Sequence, residues 1–187
     1  MQKYMTEIEE TKKETTVQQV MLEMLEIRKH TKRNASLIHC ITNPISIHDC
    51  ANIILATGAR PIMAEHPKEV EEITEVASAL MLNLGNITDA RMESMKRSLD
   101  VANRKKIPVL IDLVGVTCSK LRRDFARQLF TEGTFSVIKG NISEILAVAN
   151  LPFHGTGIDA GAQDAISSEN EALYCKIAKE LAAHLGC

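Results

Sequence analysis

The segment Lys139-Gly140-Asn141-Ile142-Ser143-Glu144 carries the residue types in this chain that are best suited to chemistry. It follows an apolar run that predicts a buried parallel strand, and such a strand delivers the residues after it to the edge where α/β sheets bind ligands. Asn141 and Glu144 are three positions apart, so they share one face of a first helical turn. Their amide and carboxylate oxygens suit Mg²⁺, directly or through water, and Mg²⁺ at such an edge indicates ATP. A simple helix start, with a carboxylate near the positive end of the dipole, explains the same pattern, and both interpretations stay open.

Two more polar residues follow apolar segments that predict strands. Asp112 ends Pro108 to Asp112 and is the natural third acidic group near a metal at this edge. Asn43 follows Leu37 to Ile41, where its amide is able to contact a substrate or neighbouring backbone, or to cap a turn before Pro44. Met63 follows another predicted strand, and its residue type alone is typical of a buried core side chain.

Five ordered motifs at these strand ends make the chain resemble the hydroxyethylthiazole kinase family over about residues 20 to 187. The motifs are His39-Cys40-Ile41-Thr42-Asn43, Arg60-Pro61-Ile62-Met63-Ala64-Glu65-His66-Pro67, Asn83-Leu84-Gly85-Asn86, Asp112-Leu113-Val114-Gly115 and the Lys139 segment. Five motifs in order are far more specific than any one of them. The resemblance implies a ribokinase-like enzyme that uses ATP and Mg²⁺ to phosphorylate the hydroxyethyl group of 4-methyl-5-(2-hydroxyethyl)thiazole in thiamine salvage. It also implies a homotrimer with the thiazole sites between subunits.

The resemblance further implies roles for individual residues. Met63 would pack against the thiazole ring with Asn43 nearby, and Lys139 would contact an ATP phosphate. The metal ligands would be Asn141, Glu144 and Asp112. The motif around Asp112 departs from the family, which usually reads Asp-Pro-Val-Gly, because Leu113 stands where proline is common. Leucine lacks the fixed φ of proline, so we expect a less pre-organised turn.

The resemblance also predicts that the C-terminal third of the fold, with the catalytic side chain and the oxyanion-stabilising amides, lies beyond Cys187. We therefore expect no catalytic residue in this chain and no activity from it alone. The segment Gly155-Thr156-Gly157-Ile158-Asp159 looks like the family's Gly-Thr-Gly anion hole. It comes only about a dozen residues after Asn141 without an intervening strand, which favours a surface loop.

Composition narrows the class of protein. With 187 residues, 22 basic and 24 acidic side chains, two Tyr, four Phe and no Trp, the chain suits one domain that binds a small molecule rather than nucleic acid. Its five cysteines are odd in number and widely spaced, which indicates neither a zinc site nor a disulfide framework. The polar N-terminus and the lack of a long apolar run predict a cytoplasmic protein without a membrane span.

The alternation of short apolar runs and helical patterns predicts a doubly wound, mostly parallel α/β sheet. Residues 1–16 are interpreted as a polar lead-in or a frayed helix, and residues 17–187 as one incomplete kinase domain. An amphipathic helix begins at Val17, and its methionines are expected to fill the core. The predicted strands are Leu37 to Ile41, Arg60 to Ala64, Ala79 to Leu84, Pro108 to Asp112 and Phe135 to Lys139. The predicted helices are Ile47 to Ala56, Pro67 to Ala77, Asp89 to Lys105, Lys120 to Phe130, a short one after Glu144, and Glu169 to Leu185.

Two other functions remain open at this stage. One is a non-catalytic truncated chain that acts only through binding or assembly. The other is a different ribokinase-like enzyme, such as a nicotinamide-hydrate dehydratase, which shares the sheet but not the His-Cys-Ile-Thr-Asn strand end.

Overall fold

The computed structural model describes residues 2–155, 157 and 159–187, with side chains from Thr16 onward. Its centre is a parallel sheet in the order β2-β1-β3-β4-β5. The strands are β1 Leu37–Ile41, β2 Arg60–Ile62, β3 Ala79–Asn83, β4 Val109–Asp112 and β5 Val137–Lys139. The helices are α1 Gln2–Asn34, α2 Ile47–Thr57, α3 Val70–Glu75, α4 Asp89–Lys105, α5 Lys120–Glu132, α6 Ile142–Val148 and α7 Glu171–Leu185, with a 3₁₀ turn at Ala162–Asp164. The predicted α/β class and parallel sheet are confirmed.

The core lies between one face of the sheet and helices α3 to α6. Leu82 on β3 and Ile111 on β4 are paired in register and fully buried. They pack in one cluster with Leu99 of α4 and Phe125 of α5. Because side chains alternate across a strand, the neighbouring Met81 points to the opposite face, where it is only half-buried.

Local capping residues explain where helix α4 begins and where helices α4 and α7 end. Thr88 accepts a hydrogen bond from the Arg91 N–H at 3.2 Å and so caps the start of α4. Lys106 adopts the left-handed conformation after the last turn of α4. Gly186 does the same after α7, with φ of 73°, a position that glycine occupies without steric cost.

Several elements are shorter than predicted, among them both edge strands and helix α3. The edge strands β2 and β5 have three residues each. Each pairs with one neighbouring strand, over three residue pairs. Helix α3 begins at Val70 rather than Pro67, because the His66 carbonyl first accepts hydrogen bonds from the Glu69 and Val70 N–H groups in a turn.

Helix α1 differs most from the sequence prediction. It runs without a break from Gln2, whereas the pattern indicates a helix only from Val17. The expectation that its methionines fill the core is wrong, since Met21 and Met24 are 58% and 64% exposed. In the described part of the chain, only the last turns of α1 approach the body of the protein, where Lys32 lies against Gly58. None of the described helices is both long enough and apolar enough to cross a membrane.

Candidate active site

Polar side chains line the carboxyl edge of the sheet. All five strands run parallel, so the residues that end or follow them share this edge. In the order of the strands from β2 to β5, these residues are Met63, Asn43, Asn83, Asp112 and Lys139. The sheet order reverses between β1 and β3, and such a switch point opens a crevice for a ligand in this class of fold.

Asn43 and Asn83 meet at the switch point. The Asn43 amide nitrogen donates to the Asn83 side-chain oxygen at 3.0 Å, and this oxygen also accepts from the Gly85 N–H at 2.9 Å. The Asn43 oxygen accepts from the backbone N–H groups of Ile45 and Ser46, so Asn43 also forms the predicted turn before the next helix. Asn83 was not among the predicted site residues, although it opens one of the five motifs. Its signal was a polar residue at the end of an apolar run.

Hydrogen bonds to the backbone carbonyls of Ala64 and Glu65 hold the loop that carries Met63. The His39 ring nitrogen Nε2 donates to the Ala64 carbonyl at 2.9 Å, and Nδ1 lies 2.8 Å from the Thr74 hydroxyl. The Ser94 hydroxyl donates to the Glu65 carbonyl at 2.8 Å. Met63 itself is half-buried beside these anchored residues, which keep its backbone in place.

Arg91 and His39 fix the same loop through charge and burial. Arg91 forms a two-pronged contact with the Glu65 carboxylate, at 2.7 and 3.2 Å, and also donates to the Asn86 carbonyl. His39 is fully buried, and this burial lowers the pKa of its imidazole, although the Ala64 carbonyl and the nearby Glu69 act in the opposite direction. The neutral ring therefore prevails at pH 7 and donates through Nε2.

Asp112 and Lys139 form an ion pair at the other side of the edge. They are register partners on β4 and β5, and the Lys139 ammonium lies 3.2 and 3.3 Å from the two carboxylate oxygens. One of these oxygens also accepts from the Val114 N–H at 3.1 Å. The Lys139 side chain is 61% exposed, so it is free to reach a ligand in solution at the cost of a weak surface pair.

Asn141 and Glu144 form a capping box at the start of α6. The Asn141 side-chain oxygen accepts from the Glu144 N–H at 3.0 Å, and one Glu144 carboxylate oxygen accepts from the Asn141 N–H at 2.8 Å. The other carboxylate oxygen accepts from the Gly115 N–H at 3.0 Å, and Glu144 is only 2% exposed. This carboxylate therefore joins the turn after β4 to the start of α6.

Around this edge, the described residues contain no group of three His, Cys, Asp or Glu side chains arranged to hold a metal ion. The structure brings Asp112 and Lys139 together, and it separately brings Asn141 and Glu144 together. Both Glu144 oxygens already have backbone partners, whereas one Asp112 oxygen pairs only with Lys139. Of the two carboxylates among the predicted metal ligands, only Asp112 has an oxygen without a backbone partner.

The glycine-rich segment after α6 packs against the turn that follows β4. The Gly157 carbonyl accepts from the Thr117 hydroxyl at 3.1 Å and from the Cys118 thiol at 2.8 Å. Thr156 and Ile158 of the Gly-Thr-Gly-Ile-Asp motif lie outside the described residues. Gly157 and Asp159 are exposed, which supports the interpretation of a surface loop.

A cluster that sequence reasoning missed anchors the same loop. The buried Asp164 carboxylate accepts from the Ser143 hydroxyl at 2.5 Å and from both the backbone and the ring of His154, at 2.7 and 2.8 Å. Burial raises the pKa of Asp164, but these hydrogen bonds outweigh it and lower the pKa below its usual value. The three residues belong to different segments with no common motif, so no sequence pattern indicates the cluster.

Comparison with known proteins bears on what this edge does. The hydroxyethylthiazole kinase family model matches residues 28–187. A "Hydroxyethylthiazole kinase 2" of Clostridium botulinum strain 657 is 54% identical over 162 residues, which cover 87% of this chain and 61% of the relative. A "Hydroxyethylthiazole kinase" of Finegoldia magna is 45% identical over 137 residues, covering 73% of this chain and 51% of the relative.

A solved structure agrees with these relatives. The structure titled hydroxyethylthiazole kinase protein from Pyrococcus horikoshii OT3 is similar with a TM-score of 0.65 and 32% identity, over 68% of this chain and 50% of that one. The chain thus spans about 61% of the length of the Clostridium relatives it matches. The family match, the relatives and the shared α/β architecture confirm the resemblance seen in the five motifs: the chain belongs to the hydroxyethylthiazole kinase family.

Proposed function

We propose that this chain supplies the substrate side of an ATP-dependent kinase. The reaction transfers a phosphoryl group to the hydroxyethyl oxygen of 4-methyl-5-(2-hydroxyethyl)thiazole, a step of thiamine synthesis and salvage. The observation that carries the proposal is the polar row from Asn43 to Lys139 along the carboxyl edge, in a chain of this family. Phosphoryl transfer depends mainly on positioning and charge stabilisation, which such a row is able to provide.

The thiazole binds beside the switch point, between Met63 after β2 and Asn43 after β1. The polarizable thioether of Met63 suits a flat sulfur heterocycle, and Met63 lies on a loop that three hydrogen bonds anchor. Asn43 is oriented by Asn83, with its amide held in one direction. Gly85 leaves room here, because a side-chain carbon at this position would lie 2.9 Å from the Asn83 oxygen and 3.1 Å from the Asn43 nitrogen.

The nucleotide binds toward β5, where Lys139 supplies a positive charge for a phosphate oxygen. Lys139 then exchanges its exposed contact with Asp112 for a contact with the more highly charged phosphate. Releasing Asp112 frees a carboxylate for Mg²⁺, and oxygen donors of this kind fit that ion. When bound, Mg²⁺ neutralises phosphate charge. Asn141 and Glu144 would help to hold the ion through water, because their oxygens bond backbone N–H groups.

The chain alone is proposed to bind thiazole without turning it over, since it spans about 61% of the length of its relatives. The complete enzyme is proposed to assemble as a homotrimer and to work in the cytoplasm, where ATP is available. This proposal differs from a purely non-catalytic chain in one respect: a longer chain with the same substrate side is expected to be an active kinase.

Calorimetric titration with the thiazole tests the substrate site. The parent chain should bind the thiazole more tightly than ribose or a pyrimidine, and Met63→Asp should abolish this binding, because it places a charge against an apolar ring. Val76→Asp is a matched control, since Val76 is apolar, 68% exposed and outside the site. Equal affinity of the parent and Met63→Asp would reject the site.

An assay of ATP-dependent thiazole phosphorylation tests the division of labour. The 187-residue chain should give no turnover, while the full-length Clostridium botulinum relative, assayed in parallel, should be active. Rapid turnover by the shorter chain would refute this part of the proposal. Gly155 to Asp159 would then become the candidate anion hole.

A further inference from the structure

Helix α1 presents an apolar surface that the rest of the described chain leaves uncovered. Seven aliphatic side chains between residues 17 and 27 are about half or more exposed: Val17 56%, Val20 48%, Met21 58%, Leu22 59%, Met24 64%, Leu25 48% and Ile27 66%. Monomeric proteins rarely expose so many neighbouring apolar groups on one helix. Most of this surface precedes residue 28, where the match to the family begins.

The spacing on this helix is that of a coiled-coil seam. Val17, Val20, Met24, Ile27 and Thr31 follow one another at intervals of three, four, three and four residues. This places them at alternating a and d positions of two heptads, the pattern that packs one helix against another. The seam also borders an open cleft of about 560 Å³, lined by α1 and by Thr57 at the end of α2.

Charges beside the seam complement each other between copies. In this register, Glu23 occupies a g position and Arg28 the e position five residues later. In a parallel pair of identical helices, the g residue of one copy faces this e residue of the other, so two Glu23–Arg28 ion pairs form. Among the described residues of one copy, Glu23 has an exposed contact with Gln19 at 3.0 Å, which is easily given up.

We propose that this surface binds a second copy of the chain through a short parallel coiled coil of α1. Two heptads with Met21 at the flanking e position bury roughly 500 Å² per copy, less than the about 800 Å² per partner of a standard interface. The dimer is therefore expected to be weak. The polar side of α1 carries acidic Glu23 and Glu26 as well as bases, which disfavours an anionic membrane as the occupant. The inference is independent of the kinase proposal.

Sedimentation of the 187-residue protein, from about 1 to 100 μM, tests the dimer across the range of weak interfaces. The parent should shift from monomer to dimer with concentration. Met24→Glu should raise the dissociation constant at least tenfold, because it places two like charges in the seam. Leu121→Glu is the matched control, since Leu121 is a 58% exposed aliphatic residue on α5. Circular dichroism of each variant confirms that α1 and the sheet are intact.

Charge reversal identifies the orientation. Glu23→Lys and Arg28→Glu should each weaken the dimer, and the two changes combined in one chain should restore it. An equimolar mixture of the two single variants should also dimerise, because each copy then supplies the charge that the other lacks. A parent that stays monomeric, association that persists unchanged in Met24→Glu, or a double variant no better than the singles would overturn the proposal. Binding of the monomer to phosphatidylserine vesicles would assign the surface to a lipid and overturn it as well.

Discussion

Replacing Glu144 with alanine tests whether this residue holds the site together. Its carboxylate bridges two segments, because one oxygen accepts from the Asn141 N–H and the other from the Gly115 N–H. The first contact caps the start of α6. The second fixes the turn that follows Asp112, the last residue of β4. Glu144→Ala removes both acceptors and leaves the two N–H groups without them, whatever the role of Mg²⁺.

The expected loss follows from the burial of each donor. A hydrogen bond to a charged acceptor contributes about 1.5–3 kcal/mol when it is buried, as the Gly115 bond is. The Asn141 N–H is half-buried, so water replaces part of its bond and its loss costs about 1 kcal/mol. The sum is about 3 kcal/mol, which lowers the Tm of a chain of this size by roughly 6–12 °C. Glu144→Gln retains one acceptor oxygen and should lie between the parent and alanine.

Thermal unfolding followed by circular dichroism, without Mg²⁺ or nucleotide, measures this effect. Glu132→Ala is the control, since Glu132 is an exposed helical glutamate whose partner Gln128 also lies at the surface. If Glu144→Ala unfolds within a degree of Glu132→Ala, the carboxylate does not anchor the two segments. Glu144 would then be available as a direct metal ligand, and stabilisation of the parent by Mg²⁺, absent in the variant, would be expected.

Three further predictions concern pH and the nucleotide. Because burial lowers the pKa of His39 in the fold from 6.5, the free energy of unfolding should fall as the pH drops below about 6.5, by up to about 1.4 kcal/mol per pH unit. Urea unfolding of His39→Gln should show a flatter dependence of this free energy on pH between pH 7 and 5. The same pH dependence in the parent and the variant would contradict this prediction. Because the pKa of Asp164 is lowered in the fold from 3.8, its ionised carboxylate stabilises the fold above about pH 3.8, and this stabilisation is lost as the pH falls further. Asp164→Asn should remove this acid-sensitive stabilisation and make the loop from His154 to Gly161 easier to cleave by limited proteolysis. Equal cleavage rates of the parent and the variant would show that Asp164 does not anchor the loop. Lys139→Ala should weaken ATP binding by about 1.5–3 kcal/mol, the value of a charge-assisted contact, whereas Lys139→Arg should retain most of the ATP affinity. If calorimetry gives Lys139→Ala and Lys139→Arg the same ATP affinity, Lys139 does not contact a phosphate.

The sequence predicts the sheet and the polar residues along its carboxyl edge well, because both depend on local patterns. Strand β1 and helix α4 have the predicted bounds, Leu37–Ile41 and Asp89–Lys105. An apolar run needs only its own residues to indicate a buried strand, and Thr88 needs only its neighbour Arg91 to cap a helix. Parallel strands then bring polar residues such as Asn43 and Asp112 to one edge without further information.

Contacts between distant segments were not predictable in this way. Ser143 and Asp164 are 21 positions apart, and Glu144 and Gly115 are 29 apart. Their meeting depends on how α6 and the following loop fold back on the sheet, which no local pattern encodes. The apolar side chains of α1 illustrate the opposite error. Their periodicity predicts a buried face, but periodicity does not say what covers it, and Met24 is exposed in this chain.

Leu113 shows how a departure from a family pattern is compensated by the fold. The expectation was a looser turn, because leucine lacks the fixed φ of proline. Leucine instead has an N–H group, which donates to the Lys139 carbonyl at 2.9 Å and continues the pairing of β4 with β5, a bond that proline is unable to form. Its side chain is fully buried in the core, and the Asp112 carboxylate closes the turn by accepting from the Val114 N–H. Asp112 is therefore held by hydrogen bonds and packing in place of ring geometry, which keeps its carboxylate beside Lys139.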